Sequence, residues 1–323
     1  MGAYQISIQP GHIARHTPRN AGAQGREAAV VDVAQDLLLR ELQENGTLAS
    51  VVIKGGTAIR KLYAGNEGRF SLDLDFAVAE VGQSRDEAAL AFAAAVDGLS
   101  IGPFSYGIAE RRGKWSVTFS SRFVAEHTLQ TKLDFSPAPW LAPVEVGWVP
   151  MPIHERYGGP LPKIRTVRLE ENVAEKIARL NRTTTARDMY DLAWLCGRGQ
   201  LWNMLDKPLI RRLAVLKIWV DANGIGAGGS SWGPAHVGTS FDPERWLRPR
   251  TAKEFDVEDI GALAVPTPKP ERLSEEVRVG FGFLSELDAD EEAVAASNPK
   301  DRALVLRMLA ELPGGRFDGI GLY

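Results

Sequence analysis

The sequence predicts an α/β (α+β) domain followed by a helical C-terminal lobe, and two observations predict it. In the first half of the chain, segments with an apolar residue at every second position alternate with segments whose apolar residues have helical spacing. Beyond residue 165 only the helical spacing recurs. We therefore expect domains at 1–165 and 166–323. With 44% hydrophobic residues in 323, the chain can bury a sizeable core.

The N-terminal segment, residues 1–25, is rich in Gly, Pro, Asn and Gln and has no periodicity, so it is predicted to be a loosely packed arm. From Arg26 to Leu42 apolar residues recur at helical spacing, and Asn45-Gly46 ends this helix. Polar residues fall on the other side of the helix: Asp32, Gln35, Asp36 and Glu41.

A glycine turn follows the next strand. The apolar run 50–54 predicts a buried strand, Gly55-Gly56 breaks it, and a helix continues over 57–64, with Thr57 near its start. Glycines allow close approach of a ligand to the backbone, and N–H groups at the start of a helix bind phosphate oxygens. The competing interpretation is an ordinary strand-to-helix turn.

A pair of aspartates lies on the following strand, where alternation runs from Phe70 to Val78. Side chains at i and i+2 share a face of a strand, so Asp73 and Asp75 are predicted to point the same way. On the other face, Leu72, Leu74 and Phe76 are predicted to enter the core. Two converging carboxylates suit a hard cation such as Mg²⁺, although an acidic face on a solvated edge strand would look the same.

A third carboxylate, Asp134, comes from a later strand. A helix is predicted over 87–96, strands over 114–120 and 128–136, and mostly loop over the proline-rich residues 137–162. Together with the glycine turn, Asp73, Asp75 and Asp134 form a metal-ligand set suited to two-metal phosphoryl transfer.

The helical lobe begins after Lys163. Helical spacing predicts helices at the following positions: 169–182, 186–195, 208–222, 252–263, 274–287 and 288–312. Residues 224–240 are rich in glycine and have no periodicity, so they are predicted to form a loop.

Composition excludes several classes of protein. The net charge of −3 makes indiscriminate binding of nucleic acid unfavourable, so a polyanion must meet a local basic surface. The single cysteine, Cys196, excludes an internal disulfide framework and a cysteine-based zinc site, and favours a reducing cytosol. No signal peptide and no run of about 18 apolar residues is present, so a cytoplasmic protein with no membrane partner is predicted.

Four motifs carry a family resemblance: K-G-G-T-A-I-R-K-L-Y, R-F-S-L-D-L-D-F, A-E-K-I-A-R-L and R-D-M-Y-D-L. Over roughly 51–195, the chain resembles the AbiEii/AbiGii toxin family of nucleotidyltransferases, which includes the MenT toxins. The resemblance implies a polymerase-β-like nucleotidyltransferase fold with a mixed sheet, a toxin–antitoxin module and NTP-dependent modification. Some similar members add nucleotides to the 3′ acceptor end of tRNA.

The resemblance also implies site residues. Gly55, Gly56 and Thr57 would cradle the triphosphate, and Asp73 and Asp75 would bind the metal ions. Arg69 and Ser71 complete the expected nucleotide-binding set. The family's lysine falls on Lys176 and its later aspartate on Asp191, so the helical lobe would contribute to the site, with Asp188 a near neighbour. The chain departs from the family pattern at Leu72, where Glu is usual, and at Ala64, where Gly is usual.

The function expected from these motifs is transfer of NMP from an NTP to an RNA hydroxyl, most simply the tRNA 3′ end, which would block translation. Mg²⁺ or Mn²⁺ would assist, tRNA and a cognate antitoxin would be partners, and DNA is not expected. A basic stretch could bind the RNA: Lys163, Arg165, Arg168, Lys176, Arg179, Arg182 and Arg187.

Three alternatives stay open at this point. The same site could modify a protein or a small molecule. The chain could be a catalytically inactive nucleotide-binding or interaction module, although three intact aspartates argue against that. An Asp-x-Asp of the glycosyltransferase type is also possible, but it does not require the glycine turn.

Overall fold

The computed structural model describes residues 5–18, 22–223, 240–249, 251, 253 and 257–316. The chain divides into two compact units. The first contains Met1–Ala138, Pro143–Thr166 and Gly261–Thr267, and the second contains Pro139–Ala142, Val167–Ile260 and Pro268–Tyr323. The prediction of a single boundary at residue 165 misses two short segments. Pro139–Ala142 belongs to the second unit, and Gly261–Thr267 belongs to the first. Apart from residue 240, the predicted glycine-rich loop lies outside the described residues.

An eight-stranded mixed sheet forms the centre of the first unit, in the order β3-β4-β5-β6-β2-β1-β8-β7. The β2–β6 and β1–β8 pairs are parallel and the other pairs are antiparallel. The strands are β1 Val51–Lys54, β2 Asp73–Val78, β3 Ser100–Ile101, β4 Phe104–Arg111, β5 Lys114–Ser121, β6 Val124–Ser136, β7 Val144–Val146 and β8 Ile164–Thr166.

The helices of this unit's described part are α1 Pro10–His16, α2 Gly22–Glu44, α3 Gly55–Ile59 and α4 Arg85–Val96. Of these, α2 and α4 cover one face of the sheet. From α2, Gln35 Nε2 donates to Thr131 Oγ1 of β6 at 3.2 Å. From α4, Phe92 contacts Phe76 and Phe135, with ring centroids 5.1 and 5.7 Å away. The polar residues that alternate with these buried ones, including Asp73, Asp75 and Asp134, therefore lie on the opposite face of the central strands.

The second unit is built from helices in its described part: α5 Leu169–Arg182, α6 Ala186–Cys196, α7 Gly199–Met204, α8 Lys207–Ala222, α9 Pro243–Leu247, α10 Pro270–Gly280, α11 Ala289–Ala295 and α12 Arg302–Ala310. Helix α8 packs against α5, and α10 packs against α6. The predicted α/β domain with a helical lobe is confirmed.

Several element predictions were wrong or incomplete. The predicted arm contains helix α1, and its Ile13 is buried. Strands β3 and β4 were missed, because glycine and proline interrupt their alternation. The single helix predicted over 288–312 is two helices, since Ser297 adopts φ 56° and Pro299 follows. Leu72 is 52% exposed instead of entering the core, because β2 begins only at Asp73.

Three of the four polar residues that lie opposite the apolar side of α2 are buried. Asp32, Gln35 and Asp36 are each at most 2% exposed. Asp32 and Asp36 face Arg60 and Lys61, which lie on a π-helical turn, Arg60–Ala64, that continues α3. This buried group of charges fixes the helix that follows the glycine turn against α2.

Candidate active site

The glycine turn connects β1 directly to α3. Gly55 has φ 72°, a left-handed conformation that favours glycine. A Cβ on Gly55 would overlap the Asp75 carboxylate, and a Cβ on Gly56 would overlap the guanidinium of Arg69. A Cβ at either position would therefore force the Asp75 carboxylate or the Arg69 guanidinium to move.

Thr57 ties this turn to the aspartate strand. Its side chain is buried, and its hydroxyl donates a hydrogen bond to the backbone oxygen of Asp73. The turn and the first aspartate are thus held together through a contact with the main chain of Asp73.

The strand register gathers the three carboxylates on one sheet face. Asp75 of β2 lies opposite Asp134 of the parallel neighbour β6, and Asp73 lies opposite Lys132. Directly paired residues of neighbouring strands have side chains on the same face, about 5 Å apart. Asp73 and Asp75 are half-buried and Asp134 is exposed.

Two lysines beside these carboxylates were missed as site residues. Lys54 pairs with Asp75 across β1 and β2, and its Nζ donates to Ser136 Oγ at 3.3 Å. Lys132 lies next to Asp73 and is exposed. Only the cross-strand register reveals these neighbours, and register between distant strands cannot be read from local alternation.

Arg69 and Ser71 lie beneath the glycine turn. Both side chains are buried, and both approach the position that a Cβ on Gly56 would take. The backbone oxygen of Ser71 accepts a hydrogen bond from Gln35 Nε2 at 3.2 Å. The two residues are therefore placed to support the turn from the side of α2.

The donor chemistry suits a divalent cation that shares its ligands with a nucleotide. Within the described residues, no three His, Cys, Asp or Glu side chains form a preformed ligand group. Mg²⁺ does not require one, because it is usually bound by one or two carboxylates with substrate phosphates and water completing the shell. The Asp75–Asp134 pair with Asp73 beside it provides such a partial set.

The second unit contains a separate buried charge cluster. Lys176 of α5 is 3% exposed, and its Nζ lies 2.9 Å from Asp188 Oδ1 and 2.8 Å from Asp191 Oδ2. Arg179 and Thr185 contact the other oxygen of Asp188 at 3.4 and 2.8 Å. The lysine is thus held between two aspartates of α6, on the face that their i, i+3 spacing predicts.

Asp188 is the anchor of this cluster. Burial alone would raise its pKa, but the charges of Lys176 and Arg179, with hydrogen bonds from Lys176 and Thr185, hold the pKa well below its usual range. Asp188 therefore stays ionised and keeps the Lys176 ammonium in one position.

The basic stretch expected to bind RNA is mostly engaged in ion pairs. Five of its seven cations contact carboxylates: Arg165 with Glu80, Arg168 with Glu170, Lys176 with Asp188 and Asp191, Arg179 with Asp188, and Arg182 with Asp221. Spacing of basic residues along the sequence did not reveal these acidic partners. Most of the stretch is therefore engaged in ion pairs that belong to the fold.

A strand that turns through two glycines into a helix, beside aspartates on neighbouring strands, fits a nucleotidyltransferase. Comparison with family models supports this class: residues 36–274 match the family described as nucleotidyl transferase AbiEii toxin, type IV toxin–antitoxin system. The chain belongs to this family. It is a nucleotidyltransferase toxin of MenT-like type, and the resemblance drawn from the four motifs is confirmed.

A solved structure agrees with this assignment. The chain is similar to MenT4, a nucleotidyltransferase toxin from Mycobacterium tuberculosis H37Rv, with 33% identity, a TM-score of 0.80 and coverage of 94% of this chain and 99% of that one. The structure of CdnC from E. coli MS115-1 with ATP has 13% identity and covers 95% of this chain and 98% of that one. Its TM-score of 0.26 is too low to support a conclusion about this chain. A comparison with curated protein sequences gave no match.

None of the helices in the described part of the chain is both long and apolar enough to cross a bilayer.

Proposed function

We propose that this toxin transfers NMP from an NTP to an RNA hydroxyl, with the 3′ acceptor end of tRNA as the acceptor. The observation that carries the proposal is the register that sets Asp75 opposite Asp134, with Asp73 on the same face beside the glycine turn. Nucleotides added to the 3′ end would prevent aminoacylation and so block translation. Since tRNA is the acceptor, the toxin acts in the cytoplasm, and a cognate antitoxin restrains it there.

The nucleotide is assigned to the turn. We assign the triphosphate to the N–H groups at the start of α3, Gly55 to Thr57, where backbone donors and the helix dipole favour anions. Arg69 and Ser71 support the turn from below. Asp73, Asp75 and Asp134 are the residues that would hold Mg²⁺, and Mn²⁺ accepts the same oxygen ligands. When bound, the metal ion neutralises phosphate charge and lowers the pKa of the attacking hydroxyl.

In the transfer step, the acceptor hydroxyl oxygen forms a bond to the α-phosphorus as the bond to the bridging β-phosphate oxygen breaks, which releases pyrophosphate. The exposed carboxylate of Asp134 is our candidate for the base that takes the hydroxyl proton. On the family motif alone, we propose that Lys176 and Asp191 of the helical lobe also take part in transfer, with Asp191 holding the ammonium group of Lys176.

The direct experiment is incubation of the protein with each α-labelled NTP in turn, first with total RNA and then with a protein extract and a small-molecule fraction. We expect label in RNA of tRNA length from one or a few NTPs. Sequencing of cellular tRNA 3′ ends after brief expression should show the same added nucleotides. Label that appears only in the protein or the small-molecule fraction would contradict the RNA acceptor and favour the alternative substrates.

The glycine turn makes a second prediction. Gly55→Ala is expected to lower nucleotide transfer by about 100-fold, because its Cβ displaces the Asp75 carboxylate, and misplacement of about 1 Å costs roughly that much. Gly82→Ala is the matched control, since Gly82 has φ 79° but no atom within 4 Å of the position that a Cβ would take. Both variants carry the backbone strain of about 1–2 kcal/mol. Equal transfer rates in the two variants would contradict the role assigned to the turn.

A further inference from the structure

The polar face of the sheet extends beyond the three carboxylates, over β6, β5 and β4. Alternation places the following residues on that face, from β6 to β4: Gln130, Lys132, Asp134, Lys114, Ser116, Thr118, Ser120, Ser105, Gly107, Ala109 and Arg111. Each of them is exposed or half-exposed, whereas their neighbours on the other face are mostly buried. We call these eleven residues the β4–β6 face. It is open to solvent and continuous with Asp73 and Asp75.

Positive charge on this face is concentrated next to the aspartates. Lys132 lies between Asp73 on β2 and Ser116 on β5. Lys114, two residues before Ser116, lies opposite Arg111 on β4. Diagonal neighbours across two strands are about 7–8 Å apart, so the three cations form one group. Among the described residues, the structure gives none of the three an ion pair with a carboxylate.

Apart from Asp134, the remaining side chains of the face are small or neutral hydrogen-bonding groups. Ser116, Thr118 and Gln130 provide hydroxyl and amide groups of the kind that contact phosphates and sugars. Gly107 and Ala109 have no large side chain that projects from the face, so a sugar–phosphate backbone can approach the sheet there. None of the eleven residues is aromatic, so the face offers no platform for base stacking.

We propose that the β4–β6 face binds the sugar–phosphate backbone of the acceptor RNA, through Arg111, Lys114 and Lys132, and delivers its terminal hydroxyl to the aspartates. The proposal rests on the proposed RNA acceptor. Charge complementarity selects a polyanion in a chain whose net charge is negative, and continuity with Asp134 selects the acceptor over an unrelated ligand. Because bases are not read here, this face contributes affinity and little sequence preference.

The test measures binding separately from transfer. Arg111→Glu/Lys114→Glu is made in an Asp75→Asn background, so that no transfer occurs, and binding of a synthetic acceptor-stem RNA hairpin is followed by fluorescence polarisation at several salt concentrations. We expect binding to weaken about tenfold or more, and the slope of log K against log salt to fall by about 2, one for each lost phosphate contact.

Lys300→Glu/Arg302→Glu is the matched control, because it makes the same change of net charge at exposed positions of the helical lobe. It should leave RNA binding near that of the parent. Ala109→Lys provides a gain of function, since it adds a cation to the same face and should raise the salt slope by about 1. Equal RNA affinity for the two double variants would overturn the proposal.

Failure of the face and failure of the proposed function give different results. In the Asp75 wild-type background, RNA labelling that is unaffected by Arg111→Glu/Lys114→Glu would reject the face and keep the RNA acceptor. RNA binding that the double variant weakens, with no RNA labelling by the wild type, would reject the acceptor and keep the face as an RNA surface. A third result would overturn both the RNA acceptor and the RNA-binding role of the face. In that case the wild type labels only a protein acceptor, and the double variant loses this labelling.

Discussion

Asp75→Asn is expected to lower nucleotide transfer by about 1000-fold or more while the protein stays folded. Asp75 is the central carboxylate of the candidate site, since it lies opposite Lys54 on one side and Asp134 on the other and touches the glycine turn. Charge stabilisation by a bound metal ion supplies several kcal/mol to the transition state, and a loss of about 4 kcal/mol corresponds to roughly 1000-fold in rate. Asparagine keeps the volume of the side chain and removes the charge that the metal requires.

The measurement is the initial rate of incorporation from α-labelled NTP across a Mg²⁺ titration. Asp86→Asn is the control, because it removes one exposed carboxylate from α4 in the same unit. It should transfer at the wild-type rate. Partial recovery of Asp75→Asn at high Mg²⁺ would identify the defect as metal binding. A rate for Asp75→Asn like that of the control, with the protein folded by circular dichroism, would exclude Asp75 from the metal site.

How much of the site can be predicted from sequence depends on the range of the interactions. That Asp73 and Asp75 share a face follows from the period of a strand, which is local. That Asp134 belongs beside them requires the parallel pairing of β2 with β6, which no local pattern specifies. The glycine turn follows from the local pattern and the family motifs supplied Lys176, but neither could show Lys132 or the open β4–β6 face.

Burial of charge is where the sequence misleads. On α2, helical spacing assigns Asp32 and Asp36 to a solvent face, because carboxylates are rarely fully buried without partners. Their partners lie on the π-helical turn after α3, at Arg60 and Lys61, and on the segment around Tyr157. The basic stretch of the lobe misleads for the same reason, since its acidic partners come from other parts of the chain.

The group of buried charges between α2 and the π-helical turn makes the largest prediction for stability. Arg60 donates to both oxygens of Asp32 at 2.8 Å, and Lys61 Nζ lies 2.6 Å from Asp32 Oδ1 and 2.5 Å from Asp36 Oδ1. Tyr157 also donates to Asp36, at 2.5 Å. Each of these five side chains is at most 1% exposed.

Asp32→Ala is therefore expected to lower the free energy of unfolding by about 3–5 kcal/mol, because it leaves Arg60 and part of the charge of Lys61 buried without a counter-ion. Many domains have only about 5–15 kcal/mol in total, so the variant should unfold at much lower urea concentrations. Arg278→Ala, which removes the exposed contact with Glu275, is the control and should leave the urea midpoint close to that of the wild type. Equal midpoints for the two variants would show that the buried ion pairs contribute nothing net.

The dependence of this stability on pH has a definite sign. Burial alone would raise the pKa of Asp32 and of Asp36, but Arg60 and Lys61 for the first, and Lys61 with His154 for the second, hold both pKa values below the usual range. His16 also contacts Asp32, at 2.8 Å. A carboxyl with a lowered folded-state pKa stabilises the protein fully above its unfolded pKa, about 3.9, and this stabilisation is lost as the pH falls through the folded value.

Urea unfolding of the wild type from pH 7 to pH 3 should therefore show stability falling below about pH 4, as the unfolded chain takes up protons that the native state resists. Asp32→Ala should start from a lower stability and lose less of it over the same interval, because one of the two resisting carboxyls is gone. The π-helical turn that carries Arg60 and Lys61 directly continues the helix of the glycine turn. We therefore expect Asp32→Ala to bind nucleotide less tightly than the wild type at pH 7, where both are folded, and equal affinity would show that the charges hold the fold without positioning the turn.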